Sequence, residues 1–298
     1  MGTIADRWRS RMVHTFSGST TGRPAWAETV ENGTDIGFFG PGSAAFAVHG
    51  GMSTMVAGIR ALLMQTLHPG AMAGVHDWSR YQEDPLGRLS GTVKWVMLVT
   101  FADTTTARTE SSRVGRFHDR VAGTYVDARG ETRPYSAGDA ELLSWVHLVF
   151  TDAFLRSSQL WGDRIPGGAD QYVREWTTAG ELVGVADPPR SEAELRAQLQ
   201  AFSGDLLYNE RVAEAVRFIR RPPLAKSMLP AYRIMFAGAV ASLPREYRRL
   251  LRLRRSPLPV ITATRLVLGI VRLILGPRSG AQLAAEARAD RLGAAATP

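Results

Sequence analysis

The stretch that decides the fold is MSTMVAGIRALLMQTL, residues 52–67. Its apolar residues recur every three or four positions, which places their side chains on one face of an α-helix. They are Met52, Met55, Val56, Ile59, Leu62, Leu63 and Leu67. We expect this helix to end near His68, because Pro69 disfavours the α conformation in the residue before it. The stretch therefore predicts a buried helix that ends at a histidine.

The segments that follow show the same pattern. Asp84 before Pro85 is typical of an N-cap followed by proline at the first helical position, and predicts a helix that runs to about Phe101. We expect Asp103 or a nearby threonine to cap the next helix and Gly123 to end it in the left-handed conformation. The inner face of that helix is predicted to contain Val114, Phe117, His118, Val121 and Ala122.

Beyond Gly123 the sequence predicts a turn or short hairpin over residues 124–133, and then a helix capped by Asp139. The inner face of that helix would contain Leu143, Val146, His147, Phe150 and Phe154. Prolines divide the rest of the chain into shorter helices. Strands and helices nowhere alternate as they do in an α/β sheet, so we expect an all-α protein with one domain over residues 1–298.

The composition excludes several kinds of site. The chain has no cysteine, which rules out disulfides, thiolate zinc sites, iron–sulfur clusters and cysteine nucleophiles. Any metal must bind His, carboxylate, Tyr or Met, or sit in a porphyrin. The serine-hydrolase, P-loop, zinc-protease, EF-hand and di-iron signatures are absent. Residues 40–45 fit a loose dinucleotide motif, but no second strand follows, so we interpret them as a glycine-rich loop.

Positive charge is concentrated in the C-terminal third. Residues 211–298 contain 17 Lys and Arg against four Asp and Glu, a net charge of +13, whereas residues 1–210 have a net charge of −5. Such a basic region can contact phosphate, anionic lipid or an acidic partner. Residues 260–275 are apolar but interrupted by Arg265 and Arg272, which predicts a core or interfacial helix. Residues 1–14 lack the apolar segment of a secretory signal, so we expect a cytoplasmic protein with a possible peripheral membrane contact.

The six histidines are the candidate ligands. His14 and His49 have no supporting context, and we interpret them as incidental. The other four, His68, His76, His118 and His147, lie in apolar helical segments. A single such histidine is most often a satisfied core residue, but four of them in a cysteine-free chain favour iron or cofactor ligation.

His118 is the best placed of these histidines. It projects from an apolar stripe, as a haem ligand must if it is to reach the porphyrin from an apolar pocket wall that excludes water. Arg113, Arg116 and Arg120 lie on adjoining faces and could meet the propionates, although solvated surface charge is the commoner role of such arginines.

Three strings of sequence resemble the MpaB-like, rubber-oxygenase catalytic domain family. The first consists of His68-Pro69, VHDWS at 75–79, DPLGRL at 84–89 and Thr92. The second is RFHDRVAG at 116–123, and the third is YSAGD at 135–139 with LLSWVH at 142–147. Their order and spacing are similar to the family pattern across residues 40–160.

The resemblance implies an all-α, globin-like core around haem b, and the charge count adds a basic helical region at 211–298. It implies that His118 is the proximal iron ligand and that Arg88 and Thr92 lie on the distal side. At Gly91 the chain departs from latex-clearing proteins, which have a lysine that can occupy the sixth coordination position. Because glycine cannot ligate, we expect a distal site that is open, or filled by water or another residue, with room for substrate or for the macrocycle.

The resemblance also implies a reaction, in which haem and O2 oxidise a hydrophobic substrate such as an unsaturated isoprenoid or a lipid. Arg88 and Thr92 would polarise oxygen. His68 or His76 could act as a distal base, or could be a helix-end histidine that bonds backbone carbonyls. His147 is a further cofactor-binding candidate. For this residue we favour the structural alternative, a histidine that bonds backbone carbonyls. The alternatives are a non-catalytic haem binder or sensor and, ranked last, a basic membrane-surface or nucleic-acid-binding protein; we expect no nucleic-acid partner.

Overall fold

A computed structural model describes residues 25–78 and 85–295 of the chain, with side chains described for 26–78 and 90–294. The expected all-α class is confirmed: the described residues form α-helices and one two-stranded sheet. The helices before the sheet are α1 (Ala25–Glu31), α2 (Ala44–Gly50), α3 (Thr54–Gln65), α4 (Pro69–Trp78), α5 (Pro85–Phe101) and α6 (Thr104–His118).

The predicted helix breaks at Pro69 and around Asp103 are confirmed. Helix α3 ends at Gln65, and Pro69 is the first residue of α4, where its fixed φ and missing N–H suit a helix start. Helix α5 begins at Pro85 and ends at Phe101. Asp103 caps α6, because its carboxylate accepts a 2.9 Å hydrogen bond from the Thr106 N–H. The expected cap at Asp84 lies outside the described residues.

The predicted end of α6 at Gly123 is wrong. The helix ends at His118, and a hairpin follows, formed by β1 (Ala122–Val126) and the antiparallel β2 (Thr132–Ser136). Gly123 pairs with Tyr135 in this hairpin, and a Cβ at Gly123 would lie 2.9 Å from the Tyr135 ring. Glycine thus allows the tyrosine ring to pack on the strand. Phe117, expected on the inner face of α6, is 53% exposed.

The chain continues as a succession of helices. They are α7 (Ala140–Trp161), α8 (Gly168–Leu182), α9 (Glu192–Ala201), α10 (Glu210–Arg220), α11 (Leu229–Ser242), α12 (Arg245–Leu250), α13 (Val260–Leu275) and α14 (Gly280–Ala295), with a 3₁₀ turn at Phe202–Gly204. Among the described residues no single helix is long and apolar enough to cross a bilayer. In the part of the chain that the structure describes, two bent pairs of helices, α2–α3 and α13–α14, reach that length and composition when the two helices of a pair are counted together.

The core forms where α3 packs between α7 and α11. Leu63, Met64 and Trp145 are fully buried there, so the apolar face predicted within residues 52–67 belongs to a core helix. One charged residue belongs to the same buried surface: Arg60, on α3, is 1% exposed and pairs with Asp152 on α7.

The two ends of the described chain meet on one side of this core. Helix α14 packs against α1 and α5. Arg288 of α14 is 2% exposed, and its guanidinium donates hydrogen bonds to the carbonyls of Val30 and Ile36. Because it satisfies one carbonyl in the last turn of α1 and one in the loop that follows, Arg288 ties residues near the start of the described chain to the last helix.

Candidate functional site

The candidate site lies on helices α5 and α6, which are joined by a turn at Asp103 and pack against each other as an antiparallel pair. The indole Nε1 of Trp95 donates a 3.1 Å hydrogen bond to Ser111 Oγ, and Lys94 Nζ lies 3.3 Å from a carboxylate oxygen of Glu110. These two contacts fix the register of the pair. One helical turn farther from Asp103, they bring the segments around Gly91 and Gly115 beside each other.

Glu110 strengthens this junction. Burial raises the pKa of its carboxyl, but hydrogen bonds from Arg113 and the charge of Lys94 outweigh burial, and the net pKa is lowered. Glu110 is therefore an anion at neutral pH, paired with Lys94 and with Arg113, whose Nη2 lies 2.6 Å from a carboxylate oxygen. Arg113 therefore forms its ion pair with Glu110, within the same helix.

Both helices have a glycine with open space beside it. A Cβ at Gly91 of α5 or at Gly115 of α6 would meet no described heavy atom within 4 Å. Thr92 follows Gly91 and is half-buried. Arg88 lies one turn earlier on α5, and its side chain lies outside the described part of the chain. The helix pair therefore has room for a group next to the residues that the sequence singled out.

His118 is the last residue of α6, one turn beyond Gly115. Its ring is partly buried, and burial lowers its pKa, although the charge of Asp119 acts in the opposite direction. The imidazole is therefore neutral at pH 7 and keeps a lone pair. Its Nδ1 is buried and has no hydrogen-bond partner among the described residues. A neutral imidazole with an unsatisfied nitrogen is suited to ligate a metal. Arg116, two residues earlier, is exposed.

His68 lies elsewhere, at the junction of α3 and α4. It is 1% exposed and lies beside the rings of Tyr125, Trp145 and Phe202. Its Nδ1 accepts a 3.4 Å hydrogen bond from the Ala71 N–H, and its Nε2 is 3.5 Å from a Glu141 oxygen. Burial lowers the His68 pKa, opposed by the charge of Glu141. Both ring nitrogens thus have protein neighbours, which is typical of a histidine that stabilises the junction between two helices.

His76 lies in a cluster of charged side chains at the end of α4. Its Nδ1 is 3.0 Å from Asp77 and its Nε2 is 3.7 Å from Glu214, and about a third of the side chain is exposed. Arg211 pairs with the same Asp77 at 3.3 Å. Carboxylates therefore lie on both sides of the His76 ring.

His147 is buried in α7, away from the helix pair. Burial lowers its pKa to about 4, and its Nε2 has no hydrogen-bond partner among the described residues. The ring lies directly against α8: a Cβ at Gly180 would come within 2.9 Å of it. His147 therefore packs one helix against another.

The interpretation of His49 as incidental is wrong. Its ring lies between aromatic side chains, with centroids 4.0 Å from Trp176 and 4.6 Å from Phe154. Its Nε2 is 3.2 Å from the hydroxyl of Tyr172, and burial lowers its pKa to about 3. These partners come from α7 and α8, more than 100 residues away, so the local sequence around His49 has no signal for them.

The structure therefore brings some of the sequence-predicted site residues together and leaves others apart. Gly91, Thr92 and His118 belong to one helix pair, while His68, His76 and His147 lie in separate surroundings. Among the described residues, no cluster of three or more His, Asp or Glu could hold a metal ion by itself.

Comparison with known proteins identifies the family. A family model described as "ER-bound oxygenase mpaB/B'/Rubber oxygenase, catalytic domain" matches residues 46–273, which includes both helices of the pair and the core helices around them. No curated protein and no solved structure gives a significant match. The matched range covers most of the chain and agrees with the three sequence strings. The chain therefore belongs to the mpaB and rubber-oxygenase catalytic domain family.

Proposed function

We propose that this oxygenase-family protein uses haem b, with His118 as the iron ligand, to oxidise a hydrophobic substrate. The observation that carries the proposal is the state of His118: a neutral, partly buried imidazole with an unsatisfied nitrogen, one turn from open space on α6. The described residues offer no three-ligand metal cluster. A porphyrin supplies four of the iron ligands itself, so a single imidazole is sufficient to hold it.

When bound, haem would supply an iron centre able to bind and activate O2. The protein's part is to hold and orient the reactants. His118 would donate a nitrogen lone pair, and its low pKa keeps that lone pair available at neutral pH. Thr92 and Arg88 share α5 and would provide a hydroxyl and a guanidinium as hydrogen-bond donors towards O2. Gly91 provides no ligand and leaves room for a planar group or a substrate chain.

The surroundings of His118 favour an apolar substrate. Phe117, its neighbour, is 53% exposed, and Trp78 at the end of α4 is 48% exposed. The Trp78 Nε1 donates a 2.9 Å hydrogen bond to the Ala122 carbonyl, which holds this indole beside the segment that follows His118. Exposed aromatic rings at a candidate site are suited to contact a hydrophobic molecule. The family description names rubber oxygenases, and rubber is a hydrophobic polymer. We therefore infer that the substrate is an isoprenoid or a lipid.

The test is the absorption spectrum of protein purified from haem-supplemented cells. We expect a Soret band with about one haem per chain, lost in His118→Ala and retained in the matched variant His147→Ala, whose ring packs against Gly180 instead. A normal haem content in His118→Ala would refute the ligand assignment. Substrate-dependent O2 uptake with an isoprenoid then separates an oxygenase from a haem-binding sensor, which would keep the spectrum without consuming O2.

A further inference from the structure

Helix α13 exposes an apolar ridge formed by Leu266, Ile270 and Leu273. These side chains are 66%, 57% and 85% exposed, and their spacing of four and three residues places them on one face of the helix. Leu258, just before the helix, is 70% exposed. Large apolar side chains grouped in this way cost free energy in water, so the ridge indicates a surface that is covered in use.

The opposite face of α13 is buried in the protein. Thr264, Leu268 and Val271 are at most 4% exposed and lie on the side that packs against α11. Arg265 also ties the helix down, because its guanidinium donates a 2.8 Å hydrogen bond to the carbonyl of Leu160. The helix is therefore fixed on the protein, with its ridge pointing outward. Lipid could cover the ridge but could not surround the helix.

The ridge lies within a strongly basic segment. Residues 245–278 contain nine arginines and one acidic residue, Glu246. Arg254 and Arg255 are exposed and lie within four residues of Leu258. Arg265 and Arg272 lie along one flank of α13 itself, where Arg272 pairs with the exposed Asp163 at 3.1 Å. An apolar surface bordered by arginines is complementary to an anionic bilayer, which offers acyl chains to the leucines and phosphates to the guanidinium groups.

We propose that the ridge and the preceding segment 254–259 form a docking surface for anionic lipid bilayers. The helix lies in the plane of the interface, with Leu266, Ile270 and Leu273 among the acyl chains and Arg254 and Arg255 among the headgroups. The binding is reversible and weakens with salt, because its ionic part is screened. This surface is separate from the helix pair that carries His118, and its test does not depend on haem.

The experiment is flotation of the full chain with vesicles of phosphatidylcholine, with or without roughly one-third phosphatidylglycerol. We expect the protein to float with the anionic vesicles at low salt, to be released at high salt, and to stay unbound with phosphatidylcholine alone. The double variant Leu266→Asp/Leu273→Asp should lose binding on the order of tenfold or more, because it places carboxylates in the interface. Ile36→Asp, a control at another exposed apolar side chain, should bind like the wild type.

A second pair of variants tests the charges. Arg254→Ala/Arg255→Ala should weaken binding about 30-fold at low salt, since each arginine near an anionic surface contributes about fivefold. Arg190→Ala/Arg196→Ala removes the same charge from a different surface and should change binding little. Circular dichroism checks that each variant is folded.

Three results would overturn the proposal. The first is recovery of the wild type away from the vesicles under all conditions. The second is undiminished binding of the ridge variant. The third is a dimer in analytical ultracentrifugation that Leu266→Asp/Leu273→Asp converts to a monomer, which would assign the ridge to an interface between two copies of the chain.

Discussion

Ser111 Oγ lies 3.1 Å from the indole Nε1 of Trp95, and this hydrogen bond joins α5 to α6 one turn from Gly91 and Gly115. Ser111 is 2% exposed, so its side chain is shielded from water. The indole also meets Trp176 of α8 edge to face, with ring centroids 6.3 Å apart. Trp95 thereby sets the position of α5 relative to both neighbours, and with it the position of Thr92 relative to His118.

Ser111→Ala should destabilise the fold by about 1 kcal/mol, because the partly buried indole N–H of Trp95 loses its acceptor. Urea unfolding measures this loss. The control is Ser112→Ala, at the exposed neighbouring position of α6, which should change stability by less than about 0.5 kcal/mol. Equal effects of the two changes would show that the Trp95 bond contributes nothing to the helix pair.

Gly91→Lys should change the ferric spectrum of the haem-loaded protein. The wild type should be largely high-spin and bind cyanide readily, because no side chain at position 91 can ligate. The lysine amine should ligate at high pH, where it is neutral, and shift the spectrum towards low spin. Gly91→Ala is the control: it should keep the wild-type spectrum and stabilise α5 by roughly 1 kcal/mol. A wild type that is already low-spin would contradict the open distal site.

Stability should fall as the solution is acidified. Burial lowers the pKa of His49 to about 3 and of His147 to about 4, so between these values and 6.5 only the unfolded chain binds the protons. The stabilisation is complete above pH 6.5 and is lost as pH falls towards 4, with a slope of about 1.4 kcal/mol per pH unit for each histidine. Urea unfolding across this range measures it. His147→Leu should reduce the slope of the unfolding free energy against pH by the contribution of one histidine. An unchanged slope would contradict the lowered pKa of His147.

Asp152→Ala should destabilise the protein by about 3 kcal/mol or more, because it leaves the buried guanidinium of Arg60 without its counter-ion. The comparison is Asp163→Ala, which removes the exposed partner of Arg272 and should cost at most about 1 kcal/mol. Thermal unfolding of both variants gives the two values. If the two losses were similar, the core pair would have no more effect than a surface pair.

Local rules predicted the helices well where a single residue type dictates the backbone. Pro69 and Pro85 begin helices because proline suits the first turn, and Asp103 caps α6 because its carboxylate reaches the Thr106 N–H. The core position of residues 52–67 followed from apolar spacing alone. In each case the cause lies within a few residues of its effect, so the sequence contains it.

The errors have non-local causes. Gly123 was predicted to end a helix, but it lies in a strand because its partner Tyr135 packs on it across the hairpin. His49 was set aside because the rings around it come from α7 and α8. For the candidate site, sequence indicated Gly91, Thr92 and His118 separately. Their position on one helix pair depends on the contact between Trp95 and Ser111, which no local pattern predicts.

The contact between α14 and α1 has a consequence for synthesis of the chain. Arg288 and Arg291 satisfy carbonyls of residues 30–36, about 260 positions earlier, although α14 lies beyond the range matched by the family. At roughly 5–20 residues per second, a ribosome needs about 10–50 s to translate from one partner to the other. During that interval the nascent α1 and its following loop have no native partner in α14, so this side of the molecule can close only after residues 288–291 have been synthesised.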